Sequence, residues 1–111
     1  MISARLFLDD RGILRRMIVR GHAVREASGN SPVCAAVTIL TRTVVRTLEA
    51  NTALTVRFNA PEEGVLDLEV LEIPMDQQSW LKGVSDLLYR GLRDLSGDAP
   101  GEIVVNEERS T

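Results

Sequence analysis

The apolar residues of this chain recur with one period and then another, and that switching decides which architectures can bury them. Over residues 2–8, Ile2, Ala4, Leu6 and Leu8 fall on one face of an extended chain and Ser3, Arg5 and Phe7 on the other, the period of two that marks a strand with one covered face. Asp9-Asp10-Arg11-Gly12 supplies a turn, and residues 13–20 read as the returning strand. From 33 to about 50 the period lengthens, so that Val33, Val37, Leu40, Val44, Val45 and Leu48 line one side of a helix. Residues 53–59 and 65–71 return to extended chain, joined by Ala60-Pro61-Glu62-Glu63-Gly64, with Leu66, Leu68 and Val70 alternating against Asp67 and Glu69. A second helical run, capped by Asp76 and reaching about Leu95, carries Trp80, Leu81, Val84, Leu87, Leu88, Leu92 and Leu95 as a packing face. Ser96 and Gly97 mark its exit, and residues 102–105 form a last short strand.

The element order is therefore ββαββαβ: an α+β fold, a mixed, mainly antiparallel sheet with two principal helices. A chain of 111 residues, 44% hydrophobic, builds one domain, expected over residues 1–106. Residues 107–111, Glu-Glu-Arg-Ser-Thr, read as a polar C-terminal tail that frays. Aromatic residues are only 4% of the chain, so aliphatic packing must supply most of the core.

Charge is unevenly spread. Residues 1–46 hold eight Arg and three acids, whereas residues 47–111 hold five Lys or Arg and thirteen acids. If folding keeps the halves apart, one surface steers acidic partners. Arg11, Arg15, Arg16 and Arg20 serve equally well to solvate strand edges. The chain lacks an aromatic platform or a recognised nucleic-acid module, so no direct nucleic-acid partner is expected. The start, MISARLFLDD, lacks the pattern of a signal peptide, and no run approaches a membrane span. Cytoplasmic residence and no membrane partner are the expectation.

One Cys and one His stand alone in the composition. A single Cys forms no intrachain disulfide, and the pair is too small a set for a usual structural zinc site; no metal and no cofactor are expected. The segment 21–32 breaks the strand pattern with Gly21, Gly29, Asn30 and Pro32, so His22 lies on a loop. Ser31 is suited to cap the following helix, with Pro32 at its first position and Cys34 two residues on. Unsatisfied N–H groups at a helix start favour a thiolate and stabilise a developing oxyanion. Ala35 and Ala36 leave room beside the thiol, and Gly29 permits close approach of the loop. Folding the loop back over the helix start would let His22 activate Cys34. Taken singly, each residue also fits an ordinary packing role.

Gly21-His22-Ala23, followed by Gly29 and then Val33-Cys34-Ala35-Ala36-Val37, resembles the pattern of the bacterial ribosomal-processing cysteine protease family, Prp. The order of elements extends the likeness over nearly the whole chain, although the specific signal lies in residues 21–38. The resemblance implies a cysteine endopeptidase with His22 and Cys34 as its catalytic pair. Its substrate would be the N-terminal extension of large-subunit ribosomal protein number twenty-seven, cut after a phenylalanine, and the enzyme would be a homodimer. Two positions depart from the family pattern: Ser31 stands where Asp is usual, and Thr38 where Ser is usual. Ser31 retains a cap but not a charge that could orient His22; Asn30 is another candidate orienter. Thr38 keeps a hydroxyl one turn after Cys34, placed to bond the Cys34 carbonyl. Gly21, Gly29, Asn30, Ser31, Ala35 and Thr38 thus form the supporting set. A noncatalytic ribosome- or peptide-binding protein would use the same surface without needing the thiol.

Overall fold

The computed structural model describes residues 1–21, 32–61 and 64–110. Strands β1 (Ile2–Leu8) and β2 (Leu14–Arg20) are followed by helix α1 (Pro32–Ala50), strands β3 (Thr55–Asn59) and β4 (Val65–Glu72), helix α2 (Gln78–Asp98) and strand β5 (Ile103–Arg109). The five strands form one sheet in the order β3-β4-β2-β1-β5. All neighbours are antiparallel except β1 and β5, which run parallel. The expected α+β order and the mixed, mainly antiparallel sheet are both present.

Register explains the core. Pairing Ala4 with Val19 and Val105, Leu6 with Met17, and Met17 with Leu68 aligns the apolar alternates of adjacent strands on one face. Val37, Val44, Val45 and Leu48 of α1 and Leu81, Leu88 and Leu92 of α2 pack against that face in a single cluster, so both helices share one side of the sheet. Gly91 lets them approach: a Cβ there would lie 2.7 Å from Leu40 Cδ2. Two buried hydroxyls are satisfied locally. Thr41 donates to the Val37 carbonyl at 2.8 Å; Ser85 donates to the Leu81 carbonyl at 2.7 Å and accepts the Leu14 amide at 2.9 Å.

The other sheet face carries ion pairs between neighbouring strands, Arg5 with Glu108, Arg16 with Asp67 and Arg57 with Glu69. Arg16 grips Asp67 through two bonds, Nε to Oδ1 at 3.0 Å and Nη2 to Oδ2 at 2.8 Å. Those bonds hold the Asp67 carboxyl below its usual range.

Several boundaries differ from the sequence reading. Asp76 does not cap α2; it lies within a single 3₁₀ turn, Met75–Gln77, and the α-helix begins after it. That turn is held by Asn51 Nδ2 donating to Gln77 Oε1 at 2.9 Å, a contact between segments distant in sequence. Ser96 and Gly97 stay inside α2, which closes at Asp98 with the Ala99 amide bonded to the Leu95 carbonyl. Of the expected α2 face, Leu87 is 73% and Trp80 38% exposed, because seven apolar positions span a wider arc than one sheet face covers. The expected polar tail is also corrected: β5 runs through Glu107, Glu108 and Arg109, paired with Leu6, Phe7 and Leu8. Those pairs are backbone bonds, indifferent to the polarity of the side chains.

Candidate active site

Cys34 is the third residue of α1, which starts at Pro32 as expected from its fixed φ. It therefore lies in the first turn of the helix, at the positive end of the helix dipole. The side chain is half-buried and lines a pocket of about 450 Å³ between α1 and the sheet. Helical spacing brings a stripe of α1 to the same wall: Cys34, Val37, Thr38, Thr41 and Arg42 all line it. Val37 and Thr41 are buried at its inner side, and Thr38 and Arg42 are exposed at its rim. Back-bonds to the carbonyl four residues earlier are made by Thr41 and Thr47, whereas Thr38 stands exposed at the pocket.

The sheet supplies the opposite wall. Val19 and Leu66, paired across β2 and β4, meet Ile2 from β1 and Phe58 from β3. Gly21 closes one end. Its φ is +91°, its amide donates to the Gly64 carbonyl at 2.8 Å, and a Cβ at this position would lie 2.4 Å from the Met1 carbonyl oxygen. Only glycine fits there. Gly21 is thus fixed by backbone geometry on both counts, and it is the residue immediately before His22 in the chain.

Of the residues expected at the site, Cys34, Thr38 and Gly21 share the pocket. Ala35 is exposed on α1 and does not line it. Its position in sequence beside Cys34 puts it a quarter-turn away on the helix. His22, Gly29, Asn30 and Ser31 lie outside the described residues. The sequence reading did not single out Val19, Phe58, Leu66, Thr41 or Arg42 for the site. Thr41 and Arg42 carried a signal, their helical offsets of seven and eight from Cys34; the strand residues arrive through long-range pairing. Among the described residues, no group of three or more His, Cys, Asp or Glu is placed to hold a metal ion. No described helix is long and apolar enough to cross a membrane.

A family model described as cysteine protease Prp matches residues 1–104. The chain is a member of the Prp family of cysteine proteases. The Prp fold recurs in solved structures. A ribosomal processing protease Prp from S. aureus, bound to a covalently linked product peptide, superposes with a TM-score of 0.82 at 18% identity, over 97% of this chain and 100% of that one. The same enzyme with a substrate peptide gives 0.79 at 16% identity over the same shares. SMU.848 from Streptococcus mutans gives 0.81 at 23% identity, covering 99% of this chain and 96% of that one. No curated protein sequence matches this chain. At such identities the structural likeness speaks to fold, and the family match speaks to cysteine protease chemistry.

Proposed function

We propose that this Prp-family protein is a cytoplasmic endopeptidase that removes the short N-terminal extension of large-subunit ribosomal protein number twenty-seven. Cys34 is the nucleophile and His22 the general acid and base. The observation that carries this reading is the placement of Cys34 in the first turn of α1, on the wall of a pocket with apolar surface from the sheet.

In the first step the Cys34 thiolate adds to the scissile carbonyl carbon. Amides at the start of α1 stabilise the oxyanion that develops. The tetrahedral species collapses with breakage of the C–N bond, and His22 gives a proton to the departing amine. Water then attacks the thioester carbon while His22 takes its proton. Breakage of the C–S bond releases the new carboxyl terminus and restores the thiolate. A peptide would enter in extended form, with an apolar side chain directed between Val19, Leu66 and Phe58. The homodimer implied by the family resemblance belongs to the same proposal, as does the absence of a direct nucleic-acid partner.

Incubation of the protein with a panel of ribosomal-protein N-terminal peptides, read by product mass, tests this. The expected result is cleavage at one bond, none with Cys34→Ala, and a fall of roughly 100-fold or more with His22→Ala. Circular dichroism establishes that both variants fold, and sedimentation of the same samples should give twice the chain mass. A folded parent protein that cleaves no peptide, yet binds one as tightly after both substitutions, would establish the noncatalytic peptide-binding alternative.

A further inference from the structure

Arg42 is the one charged side chain among the described residues that line the Cys34 pocket. It is exposed and makes no ion pair with a described residue. On the far sheet face, by contrast, Arg5, Arg16 and Arg57 each have a carboxylate partner, although Arg20 has none among the described residues. At the rim of the pocket, then, stands an exposed cation with no ion-pair partner among the described residues, open to a charged group on whatever enters. Opposite it the surface is apolar, from Val19, Leu66 and Phe58. A peptide lying in this trough meets carbon on the sheet side and a guanidinium on the helix side.

The distance from the thiol limits which substrate residue can answer. Arg42 follows Cys34 by eight residues, about 12 Å along a helix axis rising 1.5 Å per residue. An extended peptide covers that length in roughly four residues.

We propose that Arg42 is a specificity-determining residue, which selects an acidic side chain within about four residues of the scissile bond. The inference rests on the protease reading and adds to it a charge requirement in the substrate. Because the guanidinium is solvent-exposed, its pair with a substrate carboxylate gains a modest amount and weakens with salt. It therefore tunes selection among peptides and leaves the chemical step to the thiol.

The test takes the best peptide of the panel and places Asp, Asn or Lys singly at each of the four positions on either side of the cut. Cleavage is read as kcat/KM, and binding of the same fluorescein-labelled peptides to the Cys34→Ala protein is read by anisotropy. At one position Asp should exceed Asn by about two- to fivefold in both readouts. Arg42→Gln should abolish that difference, Arg42→Glu should turn it into a preference for Lys, and 0.5 M salt should shrink it. Equal handling of Asp and Asn at every position overturns the inference, as does an Asp preference that survives Arg42→Gln or a failure of every peptide to bind. Cleavage without an Asp preference leaves the protease reading standing and removes Arg42 from it. An Arg42-dependent Asp preference in binding alone, without cleavage, does the reverse.

Discussion

Gly21 shows how one residue couples backbone conformation to the site. Its φ of +91° lies in the region that L side chains avoid, and its missing Cβ makes room for the Met1 carbonyl. Gly21→Ala therefore meets two penalties at once, and a loss of about 2 kcal/mol or more is expected in urea unfolding. Gly83 is the natural control. It lies in α2 with open space where a Cβ would stand, so Gly83→Ala should raise stability by about 0.5–1 kcal/mol. Equal effects from the two substitutions would contradict the geometric account. At this scale the sequence was informative where the signal was local. Pro32 and the helical run behind it announced the environment of Cys34. Phe58 and Leu66 gave no such notice, because nothing near them in sequence marks them as neighbours of a thiol.

Elements were legible where period and punctuation agreed, as in β1, β2 and α1, and less so where a distant contact overrode local preference. Asp76 has the chemistry of a helix cap, yet the bond from Asn51 to Gln77 accompanies a 3₁₀ turn and a later helix start. The junction of α2 with β2 is another contact that sequence patterning does not announce. The β1–β2 register shifts between Phe7 and Leu8, and close to that irregularity the amide of Leu14 is accepted by Ser85. Serine within an apolar helical face looks like an interruption, but here it serves two partners while 3% exposed. Ser85→Ala leaves the buried Leu14 N–H without that acceptor and should lower stability by about 1–3 kcal/mol. Calorimetry, with amide exchange at Leu14, would check both parts: a variant with unchanged melting and unchanged exchange would show that the bond contributes nothing.

Across the whole molecule, two helices cover one sheet face and ion pairs cover the other, and the last strand completes the sheet beside the first. The polarity of Glu107, Glu108 and Arg109 concealed their membership of β5, since a parallel pairing between ends of the chain leaves no local pattern to read. Their removal takes away the rungs to Leu6, Phe7 and Leu8 and the bond from the Ser110 amide to the Leu8 carbonyl. Deletion of residues 107–111 should accordingly cost about 2–4 kcal/mol at roughly 1 kcal/mol for each bond lost; denaturant curves that overlay would return these residues to the status of a tail. The β1–β5 pairing also has a temporal side. Synthesis delivers β1 first and β5 last, so during translation β1 holds an edge of unpaired N–H and C=O groups through nearly the whole chain. The nascent protein must keep that edge from other strands until β5 has left the ribosome.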